Sequence, residues 1–110
     1  MSDINDYQNF CRTTAQYPNI GNNIEYPTLG LCGEAGEIAN KVKKIQRDND
    51  GITSIETRHK LIEELGDVLW YVAQFATEID IELSEVIDIN IQKLSSRMER
   101  GMIKGEGDNR

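Results

Sequence analysis

The sequence predicts an all-α protein built as a four-helix bundle-type subunit. Apolar residues recur every three or four positions through four segments, and no segment alternates between apolar and polar residues. Turn-forming residues separate these segments, at the loop 17–26, at 48–51 and around 80–84. Because each segment is apolar on one side only, the four helices are expected to pack against one another.

The four helices are predicted in order at 2–16, 28–47, 54–79 and 83–100. Their apolar stripes are Ile4, Tyr7, Phe10 and Cys11; Leu31, Ala35, Ile38, Val42 and Ile45; Leu61, Leu65, Val68, Val72, Phe75 and Ile79; Leu83, Ile87, Ile91, Leu94 and Met98. Thr53 followed by Glu56 predicts a capping box at the start of the third helix. We expect one domain over 1–100 and a flexible, glycine-containing tail over 101–110.

The charge balance excludes several classes of partner. The 110 residues include 19 acidic and 12 basic side chains, a formal net charge of −7. A nucleic-acid interface or an anionic membrane surface would require a basic patch instead, so neither is expected. No apolar run approaches the length of a membrane span, and the N-terminus lacks the pattern of a signal peptide. Two cysteines are too few for a disulfide scaffold, and a cytoplasmic location is expected.

Three of the helices carry a polar stripe in the same angular relation to their apolar stripe. The members are Glu34, Glu37 and Lys41 on the second helix, Glu64, Asp67 and Tyr71 on the third, and Asn90, Lys93 and Arg97 on the fourth. Two of the stripes begin with paired carboxylates. Glu64 and Asp67 lie well inside their helix, where like charges one turn apart are unfavourable unless something compensates them. Gly36 and Gly66, poor residues for a helix interior, predict a close helix approach beside the acids.

Two interpretations of the acid pairs remain open at this point. They form a solvated acidic face, or they supply hard oxygen ligands to Mg²⁺ or Mn²⁺. A di-iron centre is disfavoured because the one histidine, His59, lies outside both pairs. Protein-bound Mg²⁺ often also binds substrate phosphates, which Lys41, Lys44, Lys93 and Arg97 could hold. Carboxylates that can bind a metal, together with basic side chains that can bind phosphates, indicate phosphoryl chemistry.

The same residues resemble the MazG-like superfamily of all-α nucleoside triphosphate pyrophosphohydrolases. The family signature, Glu-x-x-Glu followed by Glu-x-x-Asp, is matched by Glu34 to Glu37 and Glu64 to Asp67. The flanking stretches 31–39 and 62–71 and the later Asn90-Ile-Gln-Lys93 are also similar. The resemblance covers nearly all of the chain from Leu29 onward and favours the metal site over a solvated face.

The resemblance implies hydrolysis of a nucleoside triphosphate between the α- and β-phosphates. Glu34, Glu37, Glu64 and Asp67 would bind Mg²⁺, with Glu34 or Glu37 the alternatives for a general base. The substrate would contact Lys41, Lys44, Tyr71, Asn90, Lys93 and Arg97. Housecleaning of the nucleotide pool by a homodimer or homotetramer is the expected role, and the tail is a candidate lid.

Two rival functions and two roles for Trp70 stay open. A phosphoribosyl-ATP pyrophosphohydrolase shares the acid pattern, and a non-catalytic helical dimerisation or regulatory module would need no metal. Trp70 lies opposite its own apolar stripe, which indicates a second contact surface. A subunit interface and stacking on a nucleobase are the alternatives for that surface.

Overall fold

A computed structural model describes residues 3–101, which form four α-helices and no β-strand. The helices are α1 (Ile4–Thr13), α2 (Glu25–Asp48), α3 (Ile55–Glu78) and α4 (Leu83–Glu99). The all-α, four-helix prediction is confirmed. Within the described residues, no helix combines the length and apolar character that crossing a membrane requires. The predicted tail lies outside the described residues, apart from Gly101.

Side-chain caps determine where two of the helices begin. The hydroxyl of Ser54 accepts a hydrogen bond from the backbone N–H of Thr57 at 3.1 Å, so Ser54 caps α3. The prediction of a capping box at Thr53 was therefore wrong by one residue. Asp3 Oδ1 accepts a hydrogen bond from the backbone N–H of Asp6 at 2.8 Å and caps α1. Helix α2 begins at Glu25, earlier than predicted, and its N-cap residue Ile24 makes no side-chain capping bond.

Helices α2 and α3 form an antiparallel hairpin that is the most extensive contact in the subunit. Asp50 and Gly51 both adopt positive φ in the connecting turn, at 53° and 77°. Along the hairpin, Lys41 of α2 lies beside Glu64 of α3, and Gly30 lies beside Tyr71 near the other end. This pairing brings the acid pairs of the two helices to the same face.

The buried core lies where α3 meets α1 and the start of α4. Its members are Cys11, Ala73, Ala76 and Leu83, with Ile4, Tyr7, Trp70, Val72 and Ile81 packed around them. The small side chains of Ala73 and Ala76 let α1 approach α3 closely. The core thus holds α1 against α3.

Helix α4 projects from this core and leaves much of its apolar stripe uncovered. It packs against α1 and α3, and none of its Cα atoms lies within 8 Å of α2. The radius of gyration, 16.9 Å, exceeds the roughly 13 Å expected for a compact chain of this length. Ile91, Leu94 and Met98, which the periodicity assigns to a core, are 55%, 41% and 69% exposed. Within residues 3–101, much of the apolar face of α4 is therefore not buried.

Candidate active site

Three carboxylates converge across the α2–α3 hairpin. Glu34 of α2 and Glu64 and Asp67 of α3 each offer an oxygen within 4.8 Å of the other two. The i, i+3 spacing puts Glu64 and Asp67 on one face of α3, and the antiparallel pairing puts Glu34 opposite them. The geometry creates a concentrated negative site inside a helix pair.

The close approach of the carboxylates raises one pKa and lowers another. A hydrogen bond with Glu64, burial and the negative charges of Asp67 and Glu37 raise the pKa of Glu34 to about 7. The same hydrogen bond, together with Lys41, lowers the pKa of Glu64. Near neutral pH, Glu34 is therefore partly protonated, and a proton offsets part of the repulsion within the cluster.

The donor set fits a divalent cation. Glu64 Oε2 is buried and has no hydrogen-bond partner among the described residues. A buried oxygen of this kind is costly unless a cation or a proton reaches it. Mg²⁺ and Mn²⁺ prefer carboxylate oxygens, and the cluster offers three carboxylates without histidine or cysteine.

Glu37 lies beside this cluster and is not a member of it. Its side chain is 55% exposed, compared with 16% for Glu64. Lys41 joins the two groups, since its Nζ lies 3.2 Å from Glu64 Oε1 and 3.8 Å from Glu37 Oε2. The ammonium group of Lys41 therefore acts as an internal counter-ion for the carboxylates.

An aromatic pocket of about 350 Å³ opens beside the carboxylates. Its lining residues are Thr14, Glu34, Asp67, Trp70 and Tyr71. The Trp70 indole N–H donates to the hydroxyl of Thr14 at 2.8 Å, and the Trp70 ring meets Tyr71 edge-on at 4.9 Å between centroids. A ligand held by the acids would thus lie against an aromatic wall.

A larger groove of about 530 Å³ leads from the cluster toward the α2–α3 turn. Glu64 and Asp67 line its inner end, and the other charged residues of its lining are Lys41, Lys44, Lys60, Asp48 and Glu63. Lys41 and Lys44 were predicted from the sequence as phosphate contacts, whereas Lys60 was not. Three ammonium groups beside the acid cluster suit an extended anion whose charge a metal partly neutralises.

The predicted site residues of α4 differ in exposure, and the helix that carries them packs against α1 and α3. Asn90 is exposed, Lys93 is half-buried and Arg97 is buried. None of the Cα atoms of α4 lies within 8 Å of a Cα atom of α2, the helix that carries Glu34. The subunit itself assembles the site from α1, α2 and α3.

One sequence expectation about packing is wrong, and the structure gives Trp70 a contact within the subunit. A Cβ atom at Gly36 or Gly66 would meet nothing within 4 Å, so these glycines do not allow a close helix approach within the subunit. The close approach occurs at Gly30, where an added Cβ would overlap the ring of Tyr71. For Trp70, the second contact surface is α1 of the same subunit, through Thr14 and the core.

Sequence reasoning missed Thr14, Gly30 and Lys60 as parts of the site. Gly30 carried a signal, because a glycine inside a helix costs about 1 kcal/mol relative to alanine and calls for a reason. Lys60 also carried one, since it lies one helical turn before Glu64 and therefore on the same face of α3. Thr14 gave no local signal, because its role depends on how α1 docks.

These features define an all-α class of protein in which a helical hairpin presents carboxylates beside an aromatic pocket. Comparison with known sequences gives the family: the MazG nucleotide pyrophosphohydrolase domain matches residues 23–102, and the chain belongs to this family.

Two similar proteins extend over much or all of the chain. The "Gene 37 protein" of Mycobacterium phage L5 is 53% identical over 112 residues, covering 97% of this chain and 98% of that protein. The "Uncharacterized protein YvdC" of Bacillus subtilis (strain 168) is 35% identical over 74 residues, covering 63% and 70% respectively. No solved structure matches the chain.

Proposed function

We propose that this chain is a Mg²⁺-dependent nucleoside triphosphate pyrophosphohydrolase. It cleaves a (deoxy)nucleoside triphosphate between the α- and β-phosphates, giving the monophosphate and pyrophosphate, and serves nucleotide-pool housecleaning. The observation that carries the proposal is the convergence of Glu34, Glu64 and Asp67 beside an aromatic pocket in a MazG domain.

Glu34, Glu64 and Asp67 would hold the metal, with Mg²⁺ preferred and Mn²⁺ a substitute. When bound, the metal neutralises charge on the phosphate oxygens and acidifies a water molecule. Glu37 accepts the proton of the attacking water, a role supported by its exposure and by its position outside the three-carboxylate cluster. Lys41 lies beside Glu37 and is placed to shift from the carboxylates to a phosphate oxygen.

The remaining contacts divide between the pocket and the groove. Tyr71 and Trp70 form the wall against which the nucleoside lies, and Lys44 binds the phosphate chain along the groove. Asn90 and Lys93, which keep exposed surface, contribute phosphate or sugar contacts from a second copy of the chain, whereas Arg97 is buried within its own subunit.

A second copy is proposed because the subunit leaves matching apolar surfaces uncovered. A groove of about 330 Å³ is lined by apolar residues alone: Leu31, Val72, Phe75, Ala76, Ile79 and Val86. The apolar stripe of α4 continues beyond this groove and is exposed. Packing α4 of one copy against the groove of another buries both surfaces, which supports a homodimer or homotetramer.

A nucleotide panel tests the function. Purified protein is incubated with each deoxynucleotide and ribonucleotide triphosphate and with phosphoribosyl-ATP, with Mg²⁺ or with EDTA, and pyrophosphate and phosphate are quantified separately. The proposal expects pyrophosphate and monophosphate from at least one triphosphate in Mg²⁺ and none in EDTA. Turnover of phosphoribosyl-ATP alone would assign the alternative reaction, and no turnover of any compound would favour a non-catalytic helical module.

A further inference from the structure

A buried carboxylate remains outside the proposed chemistry. The side chain of Glu78, near the end of α3, has no exposed surface. Arg12 Nη2 and the Tyr17 hydroxyl donate to Glu78 Oε2 at 2.9 and 2.5 Å. The backbone N–H of Gly21 donates to the same oxygen at 2.9 Å, and that of Asn23 donates to Oε1 at 2.6 Å. One carboxylate thus binds four donors, an arrangement that we call the Glu78 clamp.

The Glu78 clamp sets the path of the segment 14–24, which joins α1 to α2 without regular helix. Three of its four donors belong to this segment, and the fourth belongs to α1. Gly21 presents its N–H to the carboxylate with φ at 94°, a conformation that glycine adopts without strain. Residues 17–24 also form hydrogen bonds among themselves and with Arg12, Tyr26 and Thr28. Within the described residues, their hydrogen bonds to α3 are those to Glu78, so removing the carboxylate should loosen their attachment to α3.

A chain of aromatic rings connects the clamp to the candidate active site. The ring of Tyr17 stacks on Tyr26, with centroids 4.7 Å apart and planes 8° from parallel. The centroid of the Tyr26 ring lies 6.4 Å from the centroid of the Tyr71 ring. Tyr71 lines the pocket together with Glu34 and Asp67. The rings of Tyr17 and Tyr26 therefore link the Glu78 clamp to Tyr71 in the wall of the pocket.

A clamp made of buried charges is an inefficient source of stability. The cost of removing both ions from water cancels much of the attraction between them. Packed apolar residues in the same place often stabilise a protein to the same extent. What four directed hydrogen bonds provide is a single geometry for the segment that they hold. That geometry has a use here because the segment leads into Tyr26 and the start of α2.

We propose that Glu78 is a positioning residue for the substrate pocket, acting on Tyr71 through the stacked rings of Tyr17 and Tyr26. Glu78 itself touches no substrate. The proposal rests on the proposed function, since it concerns the pocket where that function places the nucleoside. It goes further by assigning nucleoside binding, rather than phosphate chemistry, to the integrity of a segment outside the pocket.

Two substitutions test this role, with one matched control. Glu78→Gln removes the charge while keeping the shape of the side chain. Tyr26→Leu removes the stacked ring at a half-exposed position, where folding tolerates the change better. Glu82→Gln removes a charge from an exposed side chain that makes no capping hydrogen bond. Each protein is assayed with a triphosphate that the wild type hydrolyses.

Both test substitutions are expected to raise KM by about tenfold while kcat changes by less than about twofold, because they loosen binding and leave the reacting groups in place. Glu82→Gln is expected to match the wild type. A readout independent of turnover uses Trp70, the one tryptophan, which contacts Tyr71. Titration with the α,β-methylene analogue of the same triphosphate should give a Kd from Trp70 fluorescence that rises in parallel with KM.

The outcomes separate the two claims. A wild type that neither hydrolyses nor binds nucleotide defeats the proposed function, and the positioning role of Glu78 with it. An active wild type with unchanged KM and Kd in the folded Glu78→Gln and Tyr26→Leu proteins overturns the positioning role alone. A fall in kcat at constant KM also overturns it. If Glu78→Gln does not fold, Tyr26→Leu decides by the same criteria.

Discussion

At Gly30 the absence of a side chain determines where the aromatic wall of the site lies. A methyl group there would overlap the Tyr71 ring, whereas the equally helical Gly36 faces open space. We expect Gly30→Ala to lower the free energy of unfolding by about 1–3 kcal/mol, because the ring must move. Gly36→Ala should instead raise it by up to about 1 kcal/mol through helix propensity. Urea denaturation of both variants checks this contrast, and equal effects would contradict the observed packing.

Substitutions inside and outside the three-carboxylate cluster should affect metal affinity differently. Asp67→Asn removes one of three ligands, so we expect at least about a tenfold loss of Mn²⁺ affinity in calorimetry. Glu37→Gln should leave this affinity within about twofold, because Glu37 lies outside the cluster. Equal losses in the two variants would place Glu37 among the ligands and would require another general base.

The raised pKa of Glu34 should make metal affinity depend on pH. With the pKa of Glu34 at about 7, the metal must displace a proton at lower pH. We expect the affinity for Mn²⁺ to fall by up to about tenfold per pH unit below 7 and to level off above it. Calorimetry at several pH values, in buffers of different ionisation enthalpy, should count nearly one released proton at pH 6. Affinity independent of pH between 5.5 and 8 would contradict this.

At the scale of elements, the α2–α3 hairpin is the part that sequence reasoning reached most fully. The acid pairs at i, i+3 and the short turn between two periodic segments were sufficient to predict that carboxylates of both helices meet. The direction of Lys41 toward Glu64 was not predictable, because a lysine on a helix face reaches either inward or outward. Glu78 was missed because its four partners come from distant parts of the chain.

The Glu78 clamp should contribute to stability in a defined pH range. Burial alone would raise the pKa of Glu78, but its hydrogen bonds from Tyr17, Asn23, Gly21 and Arg12 lower that pKa to about 2. The carboxylate is harder to protonate in the folded state than in the unfolded one, so its contribution is complete above about pH 4.5 and lost toward pH 2.

We therefore expect the free energy of unfolding of the wild type to fall more steeply between pH 4.5 and pH 2 than that of Glu78→Gln. Urea denaturation at a series of pH values measures both slopes. Parallel curves would show that Glu78 titrates normally in the folded protein and that the clamp holds little of the segment.

At the scale of the whole molecule, the apolar period predicted more burial than one subunit provides. The stripe of α4 satisfies the helical pattern, yet Ile91 and Met98 are more than half exposed. Periodicity shows that a face is apolar without showing whether the covering surface belongs to the same chain. The site residues of α4 illustrate the same limit, because their predicted role depends on that second surface.

The proposed assembly gives a direct prediction for α4. Ile91→Lys should convert the wild-type dimer or tetramer into smaller species, because it places a charge in the apolar contact. Ile52→Lys, at a more exposed position in the α2–α3 turn, should leave the assembly unchanged. Light scattering coupled to size-exclusion chromatography measures both masses. A monomeric wild type would contradict the proposed interface and the α4 contribution to the site.

The most direct test of the central claim measures pyrophosphate release as a function of Mg²⁺ in the wild type and in Asp67→Asn. Glu56→Gln, an exposed acid on the same helix, serves as the control for lost charge. We predict saturable, Mg²⁺-dependent pyrophosphate release by the wild type and the control, and a loss of at least about a hundredfold in Asp67→Asn. Equal rates in a folded Asp67→Asn would contradict the assignment of the reaction to this cluster of carboxylates.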